Sequence, residues 1–426
     1  MTQCRDVPQP SPTMQVARRL CLCMALSMIG MGFFCNSPSE IMHGLWAYVQ
    51  CPDVLVTDYF VVGSIGAAFV NGGLVVLISM GLLWIIKAPY NGSTIATLFL
   101  MGGFALFGKN PVNILPFFLG VWLYCKLKRL PMSRYANAAL YSTMLAPIIS
   151  DLMQKPPYPL PMRLVLAVLA GTLIGYVIIP LAEHSFSTHM GYTLFNYGFA
   201  GGLIALVIAS LVKSMGYPIA TQNIWMRGID PRVLIYLLLL TGSLVLTGLW
   251  LCGWTHLPYL RIMRHSGRAP TDFLLTDGIG AAMVNMGSVG LLSLGYILFV
   301  GGDLNGPVVG AILTSAGFGA AGEHPKNTLP IMVGVFLASL VMVAPSTDPG
   351  LQLAALFGTA LAPIAGQFGW PYGIVAGFLH SAVALAVGEP CGGYNLYNNG
   401  FSAGLVALVM VALIQGISKK WRAGDR

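Results

Sequence analysis

The sequence predicts an all-α polytopic integral membrane protein made of two inverted-topology repeats with broken or re-entrant helices. Composition, a self-alignment and the placement of basic residues predict it. Of 426 residues, 56% are hydrophobic and only 8% charged, and the mean hydropathy is +0.76. A soluble domain carries about 25% charged residues, so this chain cannot cover itself with a water-facing surface. Apolar stretches recur, for example 165–179, 234–251, 291–300 and 400–414. Crossing the hydrocarbon takes roughly 20 residues per helix, and the chain has room for about 10–14 membrane segments. In lipid every backbone polar group needs a partner inside the protein, so the spanning elements are helices.

The self-alignment is gapless. Residues 57–121 match 271–335 at a constant offset (305 − 91 = 214), with 24 of the 65 positions identical. The matches include Ile65-Gly-Ala-Ala-Phe-Val-Asn71 with Ile279-Gly-Ala-Ala-Met-Val-Asn285, and Asn91-Gly92 with Asn305-Gly306. Pro111-x-Asn113-x-Leu115-Pro116 also matches Pro325-x-Asn327-x-Leu329-Pro330, and Asn196–Leu203 matches Asn398–Leu405. The repeated positions are largely Gly, Pro and Asn, so helix-breaking chemistry was duplicated together with hydrophobicity. Paired interrupted segments of this kind point to a binding site or pathway in a membrane chain.

In chain order, residues 1–15 read as a disordered tail and 16–214 as the first membrane repeat. Residues 215–231 read as a linker, 232–417 as the second repeat and 418–426 as a basic tail. The apolar run after Arg18-Arg19 resembles a signal peptide, but its counterpart at 233–254 is an internal span, so a retained span is expected at 16–35. Each repeat continues with a polar connection ending in Thr-Asp and a Gly-punctuated span at 59–86 or 273–300. Asn-Gly then opens a segment ending at Gly108 or Gly322, followed by the Pro-x-Asn-x-Leu-Pro helix. Three further helices lie near 135–151, 162–181 and 199–213, and near 350–366, 371–388 and 400–417.

Read as full spans or as a re-entrant hairpin, 91–121 leaves each repeat crossing an odd number of times, which inverts the second against the first. The basic residues agree. The connection 35–58 has no Lys or Arg, whereas its counterpart 255–271 has Arg261, Arg264 and Arg268. After the Leu-Pro helix the bias reverses, with Lys126, Lys128, Arg129 and Arg134 set against none in 344–350. By the positive-inside rule equivalent loops lie on opposite sides. This reading places the chain in the cell (inner) membrane, multi-pass, with both termini cytoplasmic. The net charge of +8 is thus an orientation signal rather than a nucleic-acid footprint. The eight cysteines are scattered without a CxxC pair, and neither a disulfide framework nor a metal site is expected.

The candidate site is the break Gly108-Lys109-Asn110-Pro111-Val112-Asn113 with its mate Gly322-Glu323-His324-Pro325-Lys326-Asn327. Each proline favours a helix starting there, whose N-terminus offers free N–H groups and a positive dipole end. Asn113 and Asn327 would bind a solute or close the break by capping backbone groups. Inversion would bring two mid-membrane breaks together, so Lys109 and Glu323 are expected to approach or to share a hydrated cavity with His324 and Lys326. If the breaks sit at the water interface instead, these charges are merely solvated. Asn71 and Asn285, inside apolar runs, need partners and serve solute binding or helix packing. Asn91 and Asn305 open the interrupted segments. Asn196 and Asn398 either bind solute or cap the last helix, with the nearby Tyr and Phe as interface anchors. Asp58 and Asp272 are expected to cap helices, with proton or cation coupling as the alternative.

The strings Phe107-Gly-Lys-Asn110, Asn113-x-Leu-Pro116, Gly310-x-x-x-Thr314-x-x-Gly-Phe-Gly319, Leu361-Ala-Pro-Ile-Ala-Gly366 and Asn395-Leu-Tyr-Asn-Asn-Gly-Phe401 resemble a family of duplicated bacterial and archaeal membrane proteins, a domain of unknown function. The resemblance covers nearly the whole chain after about residue 16 and implies a membrane location but no activity. A looser likeness is to urea-channel proteins, whose Tyr-Asn-Gly helices and Leu-Pro segments recur in inverted halves. Together these readings predict a transporter or channel for a small polar solute or ion, with its path between the repeats. The alternative is a non-transporting membrane scaffold or partner-binding protein. An enzyme is not expected, because no HExxH metal motif and no GxxxxGK[ST] phosphate loop occurs. No cofactor is implied. The expected partners are the solute or ion, the lipid bilayer and a possible homo-oligomer, and no nucleic acid.

Overall fold

The computed structural model describes residues 11–154, 158–219 and 221–424. The first series of helices is α1 Pro12–Cys35, α2 Pro38–Val49, α3 Tyr59–Val62, α4 Ile65–Ile85, α5 Gly92–Phe104, α6 Leu115–Lys128, α7 Ala136–Ser142, α8 Ala146–Gln154, α9 Leu160–His189 and α10 Asn196–Ser214. A second follows in the same order: α11 Pro231–Leu251, α12 Leu257–Ile262, α13 Phe273–Thr276, α14 Ile279–Phe299, α15 Gly306–Phe318, α16 Pro325–Ser339, α17 Pro349–Phe357, α18 Ala362–Phe368, α19 Trp370–Ala386 and α20 Asn398–Gly424. Among the described residues the only strands are β1 Leu55–Thr57 and β2 Gln222–Ile224, paired in parallel. Among the described residues, eight helical stretches are long and apolar enough to cross a membrane. Large apolar side chains such as Leu169 and Leu173 on α9, and Leu239 and Leu246 on α11, point outward. That exposure would be costly in water and suits lipid. The chain is a multi-pass helical membrane protein.

Several boundaries differ from the sequence reading. α1 begins at Pro12, capped by Ser11, inside the stretch expected as tail; residues 1–10 lie outside the described residues. The polar connection after α1 contains α2, started by a Ser37–Glu40 capping box. The expected linker 215–231 contributes β2 to a pairing with β1. α20 runs through Gly424, so the basic stretch continues the last helix.

The two series meet through paired contacts. An added Cβ on Gly103 of α5 would stand 2.4 Å from the Gly310 carbonyl oxygen of α15, and one on Gly310 would stand 2.4 Å from that of Gly103. Gly317 packs in the same way against Ala96. Position 317 is the counterpart of 103, and 310 of 96, so the two contacts exchange roles and α5 runs antiparallel to α15. Small residues allow the backbones this approach. α10 and α20 cross likewise at Gly198 and Gly400, with Gly202 under Phe401 and Gly404 under Phe199.

Two aspartates tie the ends of this central pair. Asp58 accepts from Phe60 N of its own α3 (2.9 Å), from Gly306 N at the start of α15 (3.1 Å) and from Met226 N (2.8 Å). Asp272 accepts from Leu274 N (3.0 Å) and from Gly92 N at the start of α5 (2.9 Å). The expected capping is present, and each carboxylate also caps a helix of the other series. The bundle therefore has one end marked by Asp58, β1 and β2, and an opposite end marked by Asp272.

Each interrupted segment is a hairpin. Asn137 at the start of α7 donates to Ser93 near the start of α5 (2.8 Å), and Gln154 at the end of α8 donates to the Val49 carbonyl (3.1 Å). α7 and α8 together thus cross from the Asp272 end to the Asp58 end. α5 leaves the Asp272 end, the chain breaks, and α6 returns there. At 13 residues each, α5 and α15 are about 20 Å long, short of the roughly 30 Å of hydrocarbon.

Candidate functional site in two breaks around an aromatic centre

Local chemistry shapes the two breaks alike. Gly108 and Gly322 adopt φ of +129° and +120°, a region that favours glycine. A Cβ there would strike Leu396 and Leu194 respectively. Asn113 Oδ1 accepts from Asn110 N (2.9 Å) while its Nδ2 donates to the Gly108 carbonyl (3.0 Å). Asn327 repeats this with His324 N (2.8 Å) and the Gly322 carbonyl (2.9 Å). Asn71 donates to the carbonyls of Ala105 (2.6 Å) and Lys109 (2.7 Å); Asn285 donates to those of Gly319 and Glu323, both at 2.7 Å. These four amides hold the breaks open as loops by satisfying backbone groups that the helices leave unpaired. Of the two roles weighed for Asn113 and Asn327, backbone capping is the one present. Asn91 and Asn305 cap α5 and α15 through Thr94 N and Val308 N, both at 2.9 Å.

The breaks then differ. In the first, Asn110 Oδ1 accepts from Val112 N and Asn113 N, both at 3.0 Å. This side-chain turn competes with helix formation and delays α6 to Leu115, whereas α16 starts at Pro325 as predicted. Asn113 also reaches Ser150 (3.0 Å) and Asp53 (3.4 Å); Asn327 reaches only the Ser266 carbonyl in the corresponding place (3.5 Å). His324 Nε2 lies 3.0 Å from the His265 carbonyl oxygen, and its Nδ1 is buried without a hydrogen-bond partner among the described residues.

Lys109 and Glu323 are both fully buried, yet they do not approach each other. Lying at opposite ends of the antiparallel α5–α15 pair, they have separate neutral partners, and Lys326 is exposed. Antiparallel packing separates the breaks that a mid-membrane meeting would have joined. Lys109 Nζ donates to Tyr397 Oη and to Met101 Sδ (3.2 Å), and lies 4.7 Å from the Tyr397 ring centre and 5.6 Å from that of Phe104. Glu323 Oε1 accepts from Thr359 (2.9 Å), and Oε2 is buried without a hydrogen-bond partner among the described residues.

Between the two stand stacked and tilted rings. Phe318 meets Phe195 at 4.7 Å, Phe195 meets Phe357 at 6.3 Å, Phe357 meets Phe104 at 5.1 Å, and Phe104 meets Tyr397 at 4.4 Å. A central cavity borders them, lined also by Tyr141, Tyr197 and Asn399. It leaves about 20 Å³ for the centre of a water-sized molecule, room for a single water.

The sequence reading missed these rings. Phe195 and Tyr397 were expected at the membrane interface with their neighbours, yet both are buried at the centre. Their correspondence within the second repeated motif was the available signal, and Asn399 sat in the same motif. Asn196 does not cap its helix; it bonds the Ala182 carbonyl (2.9 Å) and His189 (2.8 Å), tying α10 to α9. Asn398 is half-buried and faces none of the central cavity.

A family described as a protein of unknown function, DUF1576, matches residues 37–214 and 254–416, more than half of the chain and once in each series. The chain belongs to that family. No curated protein and no solved structure matches it.

Proposed function

We propose that the protein is a transporter or channel for a small polar solute or ion. Its two repeats lie inverted in a cell membrane, and the path runs from the first break through the aromatic centre to the second. The observation that carries this reading is the pair of fully buried, oppositely charged residues at equivalent positions of two interrupted hairpins, with no ion pair between them. A charge held inside a membrane is costly and usually marks a pathway. Inversion is supported by the antiparallel α5–α15 pair and by the exchanged caps of Asp58 and Asp272. Five crossings per repeat (α1, α4, α7 with α8, α9 and α10, and their counterparts) leave both termini on the Asp272 end. The arginines of 255–271 gather at that end, which makes it the cytoplasmic one. A centre with room for one water fits a path closed in its middle, since apolar constrictions gate by excluding water.

Flux of labelled ions and small polar solutes into liposomes tests the reading. Flux above protein-free vesicles, changed at least tenfold by Glu323→Gln or Lys109→Gln, is expected. No flux for any solute of a broad panel, with the protein folded, overturns it.

A further inference from the structure

The two breaks are built on one plan, and in the first a tethered cation completes it. Lys109 Nζ rests on Met101, Phe104 and Tyr397, and Thr143 Oγ1 lies 3.5 Å from the same Met101 Sδ. The counterparts of these four residues are Ser315, Phe318, Phe195 and Thr359. The correspondence holds in detail: the Thr143 and Thr359 hydroxyl oxygens each lie beside a carbonyl three residues earlier, Leu140 at 2.6 Å and Leu356 at 2.7 Å. The Phe104–Tyr397 and Phe318–Phe195 ring pairs are equally close, at 4.4 and 4.7 Å.

In the second break the ammonium is replaced by a carboxylate. The sulfur becomes a hydroxyl, Ser315 Oγ, which donates to the Leu356 carbonyl (3.1 Å); the Tyr397 hydroxyl is lost at Phe195, and the aromatic faces remain. Glu323 is fully buried, and its Oε2 has no hydrogen-bond partner among the described residues. A carboxylate oxygen, two hydroxyl oxygens and two ring faces all attract positive charge. One carboxylate neutralises one charge.

We infer that a monovalent cation of about ammonium size binds at Glu323, in the place that Lys109 Nζ takes in the first break. This names the substrate class of the proposed path and to that extent rests on it. Since Lys109 fills the equivalent place with its own charge, one mobile cation binds per chain rather than two.

The test is equilibrium binding of radiolabelled rubidium and methylammonium to the purified full-length protein in detergent. Saturable binding of at least one probe at about one equivalent per chain is expected, weakened at least tenfold by Glu323→Gln and severalfold by Thr359→Val. Rubidium alone points to an alkali ion, and methylammonium alone to an amine. No saturable binding of either probe, or equal binding by folded Glu323→Gln, overturns the inference. Should Glu323→Gln fail to fold, undiminished binding by Thr359→Val overturns it. Binding lost in the variant without any flux in liposomes keeps this site and removes the transport reading. Flux of neutral solutes with no cation binding does the reverse.

Discussion

The first break is closed on itself, and the second is not. Around Lys109 the charge rests on rings, a hydroxyl and a sulfur, and Asn113 below it is anchored by Asp53 and Ser150. Around Glu323 one carboxylate oxygen and one imidazole nitrogen are buried without hydrogen-bond partners among the described residues, and Asn327 has only a carbonyl in the place of Asp53. Buried polar groups are almost always satisfied. Two exceptions in one loop, beside a counterpart that has none of its own at those positions, are the asymmetry on which the proposed cation site rests.

The comparison can be broken at its hinge. Gly103→Val puts a side chain into the Gly310 backbone, for which neither helix has room. We expect a loss of about 3 kcal/mol or more, read as a collapse of the thermal unfolding temperature in detergent. An unchanged temperature would contradict the antiparallel pair. Next in size, Asn71→Ala and Asn285→Ala each strand two buried carbonyls. They should cost about 2–3 kcal/mol and by similar amounts, because the amides do the same work in both breaks. A cost confined to one of them would deny the shared plan.

The smallest effect concerns pH. Burial pushes the Asp53 carboxyl up from 3.8 to about 7, against the donations of Ser150, Tyr59, Cys51 and Asn113 that hold it down. The folded state then binds its proton more tightly than the unfolded chain does. The contribution of this group to stability is therefore largest at low pH and declines as pH rises from about 4 to 7. Asp53→Asn should flatten the unfolding temperature over that window. The second break has no carboxylate at the matching position, so Asn327→Ala should keep the wild-type slope.

Much of this was legible in the residues. The Gly, Pro and Asn matches marked the repeat and both breaks, because φ near +120° at Gly108 and Gly322 and the backbone caps of Asn113 and Asn327 each require a particular residue type. The depth of each aromatic was not legible. Hydropathy scores Phe195 and Tyr397 the same at an interface or at a centre, and only the crossing of α10 with α20 decides. The meeting of Lys109 with Glu323 was misread for a related reason. Equivalent positions approach when they lie near the symmetry axis, as Gly198 and Gly400 do, whereas those at the ends of antiparallel helices are driven apart. The late start of α6 turned on Asn110, a local competition that the proline beside it conceals.

The most direct test of the account is the sidedness of two equivalent exposed positions, Val112 and Lys326. Val112→Cys and Lys326→Cys, each with the native cysteines replaced, are labelled in intact cells and in inside-out vesicles with a membrane-impermeant maleimide. The account predicts that Val112→Cys reacts only from outside and Lys326→Cys only from the cytoplasmic side. Reaction of both from the same side would contradict it.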